Sequence, residues 1–396
     1  MATADPISDL TRTPARSGYA LLALVAALPQ EQFDILLAKL QELFPPEELV
    51  IATQNAFTPE SYPNLRIITA PATSSSWTLT VADFLAASDL AQKHEAKHVL
   101  ILGPDSGSLS TEALRQLTTA VISDSADLAV PHYQLPANAG LVNSAILYPL
   151  TRALFATRVR YPLAIDLGLS LRMAGRLASA GQKLGQNDAL LWSVSEAVAA
   201  GFNIGEFDVG GRALPQPTDP DVRTILTQIT GSLFADIEAK AAYWQRARRL
   251  PPPRVVPPSP PPPAAPERTS EVASMVDGFR LAYSNLQEIW SLVLPPATLV
   301  GLKRLSQLDA TTFRMPENLW ARIVYDFLVA FRLRTINRGH LLGALIPLYL
   351  AWVAGHINLT ASGIDPERHV EAVALAFDAD KPYLVSRWRW PDRFNP

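Results

Sequence analysis

The sequence predicts an α/β protein: a mainly parallel sheet sandwiched by helices, followed by an all-helical C-terminal region. Short apolar runs alternate with amphipathic segments from Tyr19 to Val130, which is the strand–helix rhythm of a parallel sheet. A proline-rich segment, 250–268, then interrupts the chain. From about Thr269 onward apolar residues recur at helical spacing only.

The first half predicts five strands and three helices. The strands are short apolar runs at Tyr19–Ala27, Leu49–Ala52, Leu65–Ile68, Val99–Leu102 and Ala129–Val130. The intervening helices are Gln32–Phe44, Val81–His94 and Glu112–Ser123. In the first helix the apolar residues share one face, and Pro45-Pro46 ends it because proline cannot continue a helix.

The stretch from Pro131 to about Arg249 predicts further helices and one more strand. Helices are expected around Asn143–Ala156, Leu169–Ala180 and Asp188–Ala200. The segment Phe202–Val209 has the pattern of an edge strand. The predicted sheet therefore extends beyond its first five strands.

The proline-rich segment sets the predicted domain boundaries. Residues 1–17 are polar and predicted to be loose, 18–249 form the α/β domain, and 269–396 form the helical domain. Residues 250–268 cannot lie inside a helix or sheet, so we predict an extended polyproline linker. Recognition by a partner with an aromatic groove is the alternative role for this segment.

The C-terminal region has two apolar stripes that are typical of packed core helices. They comprise Val276, Phe279, Leu281, Leu286, Ile289, Trp290 and Val293, and then Leu319, Trp320, Ile323, Val324, Phe327, Leu328 and Phe331. The tail Ser386–Arg393 is basic and aromatic. It could bind a nucleotide base or an anionic surface, or it could be a docked C-terminus.

Composition excludes several classes of protein. The net charge of −3 gives no basic surface for nucleic acid. The sequence has no cysteine, which excludes disulfides, zinc–thiolate sites and thiol nucleophiles and fits a cytoplasmic protein. The apolar run Tyr19–Leu28 follows Arg12 and Arg16 as in a signal peptide, but it lacks a small-residue cleavage site. The run Leu341–Gly355 is shorter than the roughly 18 residues of a membrane span and contains Pro347. We therefore expect a buried strand for the first, a buried helix or helix pair for the second, and no transmembrane segment.

Asp105 is the first candidate functional residue. The strand Val99–Leu102 ends in the turn Gly103-Pro104-Asp105, and Thr111-Glu112 opens the next helix. Ligands of open α/β sheets bind at this carboxyl edge, and an aspartate there could hold a metal and, through it, a phosphate. The alternative is that Asp105 only caps the turn, as aspartates often do.

Several segments resemble a known enzyme family. The chain resembles bacterial glycosyltransferases of the GT-A fold related to mannosylglycerate synthase and glucosylglycerate synthase, over most of both domains. The matching segments are Asn143–Phe155, Arg158–Pro162, Asp166–Ser170, Gly231–Phe234, Trp244, Leu319–Phe327, Pro347–Leu350 and Lys381–Leu384. The resemblance implies a GT-A-like sheet that binds a nucleotide-diphosphate sugar and transfers its hexose to a small hydroxylated acceptor resembling glycerate.

The metal motif of that family is degenerate in this chain. The family holds Mg²⁺ or Mn²⁺ with an Asp-x-Asp motif and a later histidine; the cation offsets the charge of the departing diphosphate. The matching positions here are Gly103-Pro104-Asp105 and Leu214. Asp105 is therefore the only expected metal ligand that remains, and divalent cation binding is predicted to be weakened.

Two other motifs of that family, one at the nucleotide and one at the sugar, are also altered in this chain. The loop that approaches the nucleotide reads Ser74–Thr78, in which Ser75 and Ser76 could donate to phosphate but supply no positive charge. The glycine-rich turn at the sugar reads Ala164-Ile165-Asp166, which keeps its carboxylate but narrows the space for a hexose.

The surviving polar residues give the candidate site. The resemblance implies that Asp166 orients donor hydroxyls or acts as a base, and that Asp188 faces the acceptor. Ser75, Ser76, Asp105 and Arg212 are the candidate donor-binding residues, and Asp105 is the candidate metal ligand. Arg212 could neutralise a diphosphate without metal through its bidentate fork, or it could be a solvated surface side chain.

Two functions follow from these residues. The first is a hexosyltransferase with weakened or metal-independent catalysis. The second is a non-catalytic pseudo-glycosyltransferase that serves as a binding or scaffold partner, for example of an active glycosyltransferase. The second function is consistent with a fold that is retained while its metal site is lost, because fold and site are separable. The helical domain is also a natural surface for homo-oligomerisation.

Overall fold

The computed structural model describes residues 18–57, 62–72, 75, 77–212, 222–247 and 269–391. Within these residues seven strands form one sheet: β1 to β7 are Leu21–Val25, Leu49–Thr53, Arg66–Thr69, His98–Leu102, Leu128–Gln134, Asp166–Ser170 and Ile204–Gly211. The helices α1 to α8 are Gln30–Leu43, Val81–Lys93, Thr111–Ile122, Tyr148–Phe155, Leu171–Leu184, Ser193–Ala200, Val222–Ala239 and Ala241–Trp244. The helices α9 to α14 are Thr269–Asn285, Gln287–Val293, Pro296–Ser306, Glu317–Leu333, Arg338–Ala361 and Pro366–Arg389.

The predicted fold class is confirmed. The strand order is β3-β2-β1-β4-β6-β5-β7, and every strand pair is parallel except those made by β6. The central strands β1, β2 and β4 are apolar at almost every position because helices cover both faces of a parallel sheet. Helix α1 packs beside α3, and α2 packs beside α5.

Side-chain caps start several helices where polar residues follow a strand. Thr80 and Asp83 form a capping box at α2. The Thr80 side chain accepts from the Asp83 amide, and the Asp83 side chain accepts from the Thr80 amide. Ser110 accepts from the Ala113 amide at α3, and Ser170 accepts from the Met173 amide at α5. These caps fix where each helix leaves the sheet and therefore where the strand ends lie.

Some predicted elements were wrong in their bounds. The helix predicted at Leu169–Ala180 begins only at Leu171, because Asp166–Ser170 is a strand, and the one predicted at Asp188–Ala200 begins at Ser193. The predicted helix around Asn143–Ala156 opens with a π-turn at Asn143–Leu147. Phe202–Val209 is indeed an edge strand, displaced to Ile204–Gly211.

The C-terminal helices share one apolar core with helices that precede the proline-rich segment. Trp290, Trp320 and Phe279 are fully buried in this core, together with Phe234 of α7 and Leu154 of α4. The predicted boundaries at 17/18, 249/250 and 268/269 fall on or beside residues outside the described ranges and stay predictions. The shared core means that the helical region and the end of the α/β region pack as neighbours.

One member of the predicted core stripe was wrong. Leu281 is 64% exposed, whereas Val276, Phe279, Trp290 and Val293 are buried. The buried stripe of α9 is narrower than the sequence pattern predicts, since Leu281 lies on the solvent side of the helix.

The apolar run Leu341–Gly355 lies within one continuous helix, α13, with Pro347 inside it. Among the described residues, α13 is the one helix that is long and apolar enough to cross a membrane. Of the 18-residue apolar stretch that meets this criterion, 78% is buried inside the protein. A core helix meets the same criteria, so this finding is weak evidence for a membrane span.

The basic, aromatic tail is docked for most of its described length. Trp388 is buried and packs edge-on against Trp244, and Arg332 lies over the Trp388 ring. Trp390 is 70% exposed. Of the two alternatives for the tail, the position of Trp388 therefore agrees with a docked C-terminus.

Candidate functional site

The carboxyl ends of β4, β5 and β7 and the start of β6 bring Asp166 and Arg212 together. Asp166 opens β6 and lies opposite Leu102, the last residue of β4. Arg212 follows β7, whose last residues pair with Tyr133 and Gln134 at the end of β5. The two residues are thus delivered to one point of the sheet edge from different strands.

A β-bulge in β7 sets the direction in which Arg212 leaves the sheet. The β5–β7 register shifts between His132 and Tyr133, and Gly210 has a φ of 74°. The Gly210 amide donates to the Asp208 carboxylate at 2.8 Å, which fixes the bulge. Bulges of this kind bend a strand and re-aim the residues that follow.

Arg212 and Asp166 form a bidentate ion pair with no solvent exposure of either side chain. The Arg212 Nε donates to Asp166 Oδ2 at 3.0 Å, and its Nη2 donates to Asp166 Oδ1 at 3.2 Å. The same Nη2 donates to the Pro104 carbonyl at 2.6 Å. Burial on its own lowers the pKa of Arg212, but the Asp166 carboxylate offsets this and the pKa is raised above its ordinary value.

The Asp166 carboxylate accepts four hydrogen bonds from described residues. Besides the two from Arg212, the Gly103 amide donates to Oδ1 at 3.1 Å and the Tyr133 hydroxyl donates to Oδ2 at 3.0 Å. Burial and the adjacent carboxylate raise the pKa of Tyr133 well above its ordinary value, so its hydroxyl stays protonated and continues to donate. This set of donors compensates the cost of burying the charge.

This arrangement differs from both sequence-based interpretations of Arg212. Arg212 is not a solvated surface side chain, because it is buried, and its fork is engaged by Asp166 and not free for a diphosphate. Asp166 likewise does not face an open cleft, since its side chain is fully buried. The predicted roles of both residues at a donor sugar therefore remain hypotheses.

Asp105 lies beside this pair. It has a left-handed backbone with a φ of 59°, and its side chain makes no capping hydrogen bond to the short helix Ser106–Ser108. Its charge contributes to the raised pKa of Arg212. The turn-capping alternative for the Asp105 side chain was therefore wrong, because the turn is closed through the Asp105 carbonyl instead.

Gly103 lies so close to Ile165 that a side chain at position 103 would not fit. A Cβ atom added at Gly103 would lie 2.8 Å from the Ile165 carbonyl oxygen and 2.9 Å from the Ile165 Cβ. Real Cβ atoms essentially never approach so closely. Both the backbone and the side chain of Ile165 therefore occupy the space that a side chain at position 103 would need.

The remaining candidate residues lie elsewhere. The Ser75 hydroxyl accepts from the Trp77 and Thr78 amides, each at 3.3 Å, and so shapes its own turn. Asp188 is exposed on a turn whose backbone pairs with the first residues of α2. Ser76 and Leu214 lie outside the described residues.

The described side chains do not form a metal centre. Across the described ranges no group of three or more histidine, aspartate or glutamate side chains is placed to hold a metal ion. Mg²⁺ and Mn²⁺ require several oxygen ligands, and Asp166 has both oxygens committed to other donors. Within the described ranges, Asp105 therefore has no second carboxylate available beside it, and the described residues do not fit a divalent cation.

Sequence reasoning missed Tyr133 and the contact between Gly103 and Ile165. The available signal for Tyr133 was its position shortly after the apolar run that ends at Val130, because the hydroxyl of a buried tyrosine needs a partner. No local signal marks the second feature, since the two residues are far apart in the chain.

Comparison with known proteins gives structural matches only. No family model matches the chain, and no curated protein sequence matches it. Glucosyl-3-phosphoglycerate synthase from Mycobacterium tuberculosis, solved with uridine diphosphate, is similar over 56% of this chain and 80% of its own, with 12% identity and a TM-score of 0.37. The same synthase solved with phosphoglyceric acid covers the same shares with 11% identity and a TM-score of 0.36.

A further solved mycobacterial protein is similar over 56% of this chain and 76% of its own, with 12% identity and a TM-score of 0.35. Likeness at this identity and TM-score carries no argument about what this chain binds or catalyses.

Proposed function

We propose that this chain is a non-catalytic protein of the glycosyltransferase type. It keeps the α/β sheet and the helical region as a binding scaffold, and the guanidinium of Arg212 takes the place of the divalent cation. The single observation that supports this is the buried, bidentate pair between Arg212 and Asp166.

The charges at the sheet edge argue against metal-assisted transfer. Asp105, Asp166 and Arg212 together carry one net negative charge. A diphosphate approaching Asp105 would meet a carboxylate, while the neighbouring guanidinium is already neutralised by Asp166. Stabilising a departing diphosphate requires positive charge that is available to it, and this site provides none of the family's usual kind.

A scaffold role implies a macromolecular partner. We propose either an active glycosyltransferase or a second copy of this chain, with the helical region as the contacting surface. Retention of a packed fold after loss of a site is expected for such a role, because fold and site are separable.

Metal-independent hexosyl transfer is the second candidate. One observation favours it: the Arg212 fork reaches the Pro104 carbonyl at the sheet edge, where ligands of such sheets bind. If a diphosphate displaced Asp166, Arg212 could bind it bidentately, and Asp166 or Asp188 would be the candidates to orient donor and acceptor hydroxyls. The substrates would be a nucleotide-diphosphate sugar and a small hydroxylated, glycerate-like acceptor.

Calorimetry and a turnover assay separate the candidates. UDP-glucose and GDP-mannose are titrated with Mn²⁺ and with EDTA, and nucleotide release is followed with phosphoglycerate as acceptor. The proposal predicts neither binding nor release under either condition. Binding and nucleotide release in EDTA, both weakened at least tenfold in Arg212→Lys, would establish the second candidate instead. Release that requires Mn²⁺ would overturn both.

A further inference from the structure

The C-terminal ends of α12 and α14 lie side by side at one end of the helical region. Arg322 in α12 donates to Asp380 in α14 at 3.0 Å. Further along both helices, Arg332 donates to the Trp388 carbonyl at 2.6 Å. Trp244 of α8 packs edge-on against the Trp388 ring, with the ring centroids 5.0 Å apart. The helices α12 and α14 therefore run in the same direction and end, together with α8, at one surface.

This surface carries an excess of positive charge. Two of its arginines are paired with acidic side chains, in the pairs Arg338–Glu238 and Arg387–Asp326. Four further arginines of the surface have no acidic partner among the described residues, namely Arg246, Arg332, Arg334 and Arg389. Where these four do donate, the acceptor is uncharged, as for the Arg389 Nε and the side-chain oxygen of Gln245 at 3.4 Å. The whole chain has a net charge of −3, so the positive excess is local.

Arg334 occupies a backbone position that favours glycine. It follows the last residue of α12 and has a left-handed backbone with a φ of 53°. A residue with a Cβ atom is strained in this region, and glycine is the usual residue at such a helix end. The Arg334 side chain is exposed. An exposed charge at a position where it costs stability indicates that the charge serves a contact outside the chain.

Two large apolar side chains lie exposed at the same helix ends. Trp390 is 70% exposed and Leu333 is 42% exposed. Buried Trp388 holds the end of α14 against Arg332, so the residues after Trp388 are presented to solvent. The helix dipole favours arginines at helix C-termini, but it does not account for an exposed tryptophan and leucine. Tryptophan and aliphatic side chains among arginines are typical of protein surfaces that lie in the interface of an anionic bilayer.

We propose that this end of the helical region binds the surface of an anionic lipid bilayer. The four arginines without acidic partners would contact the lipid head groups, and Trp390 and Leu333 would enter the interface. This inference goes beyond the proposed function and does not depend on it, because none of these residues belongs to the Arg212–Asp166 site.

Sedimentation of the full-length protein with lipid vesicles tests this proposal. We expect binding to vesicles that contain phosphatidylglycerol and no binding to vesicles of phosphatidylcholine alone. Molar salt should remove most of the binding, because it screens surface charges. Arg334→Gly should lower the partition coefficient about fivefold, which is the effect of one basic residue near an anionic surface. Its thermal stability should be unchanged or higher, because glycine relieves the left-handed backbone, so unfolding cannot explain the weaker binding.

Trp390→Ser tests the apolar contact. Brominated phosphatidylcholine in the anionic vesicles quenches tryptophans that enter the interface, so we expect quenching in the wild type and little in Trp390→Ser. Arg304→Gln is the matched control for charge. Arg304 is also exposed, but it lies on α11, which packs beside Leu319 near the start of α12. This variant should bind as the wild type does.

Equal binding to both kinds of vesicle, or binding to neither, would overturn the proposal. Wild-type binding by a double variant, Arg334→Gly with Arg389→Gln, would overturn it as well. An equal loss in Arg304→Gln and Arg334→Gly would make overall charge responsible, and quenching that persists in Trp390→Ser would place another tryptophan in the interface; both results contradict the proposal. Binding of a labelled RNA oligonucleotide without binding of vesicles would identify a nucleic-acid surface and also contradict it.

Discussion

Removing either partner of the buried Arg212–Asp166 pair should destabilise the protein strongly. Arg212→Leu removes the three hydrogen bonds that the guanidinium makes to described residues, and it leaves the buried Asp166 charge with the Gly103 and Tyr133 donors among them. Loss of one partner of a buried pair costs about 3–5 kcal/mol. Asp166→Asn leaves the guanidinium buried instead and should cost about as much.

The double variant distinguishes a coupled pair from two independent losses. Arg212→Leu with Asp166→Asn removes both charges, so we expect it to be destabilised no more than one single variant, with a coupling energy of about 3 kcal/mol. Urea unfolding followed by circular dichroism measures each free energy of unfolding. Additive effects, with coupling below about 0.5 kcal/mol, would refute the pairing.

A pair with one solvent-exposed partner supplies the control for this cycle. Arg172 donates to Asp127 at 2.8 Å; the Arg172 side chain is 73% exposed, whereas that of Asp127 is buried. Arg172→Gln should cost less than Arg212→Leu, under about 1 kcal/mol, because the Arg172 charge lies in solvent and Asp127 keeps its hydrogen bonds from Ser170 and the Asn203 amide. A loss comparable to that of Arg212→Leu would show that burial is not what distinguishes the two pairs.

Three further predictions concern the same edge and the helical core. Gly103→Ala should be destabilising in urea unfolding, whereas Gly175→Ala in α5 should not, because an added Cβ at Gly175 would meet no atom within 4 Å; equal effects would contradict the steric argument. Asp105→Gly should leave thermal stability unchanged or higher, since glycine relieves the left-handed backbone. Burial lowers the pKa of His369 to about 4. The free energy of unfolding should therefore fall by up to about 3 kcal/mol from pH 6.5 to pH 4. His369→Gln should flatten this fall, and His340→Gln, at an exposed histidine, should not.

The sign of the His369 effect follows from its surroundings. Its Nδ1 lies 2.8 Å from the His356 Nδ1, and Glu317 and Arg314 are the nearby charged groups. The folded state holds His369 neutral, while the unfolded chain takes up a proton as the pH falls below 6.5. Its contribution to stability is therefore complete above pH 6.5 and lost as the pH falls toward 4.

Local patterns were sufficient to predict the layers of the fold. The apolar runs of β1, β2 and β4 have a strand pattern because helices cover both faces, and the amphipathic spacing of α1 marks its buried side. The antiparallel strand β6 was missed, since Asp166–Ser170 has no periodicity that distinguishes it from the helix that follows.

The site could be predicted only in part, for the same physical reason. The sequence identified Asp105, Asp166 and Arg212 as candidates, but Asp166 and Arg212 are 46 positions apart in the chain, so no local pattern indicates that they pair. That pairing depends on the β5–β7 register and on the bulge at Gly210, which are properties of the assembled sheet. A local pattern cannot tell a buried guanidinium from one that awaits a phosphate.

Titration of Mn²⁺ followed by electron paramagnetic resonance tests most directly whether a guanidinium has replaced the cation. The signal of free Mn²⁺ decreases when the ion binds protein. We predict that millimolar Mn²⁺ stays free in the presence of an equimolar amount of the wild-type chain, with or without UDP-glucose. A saturable site that is present in the wild type and lost in Asp105→Ala would contradict this replacement.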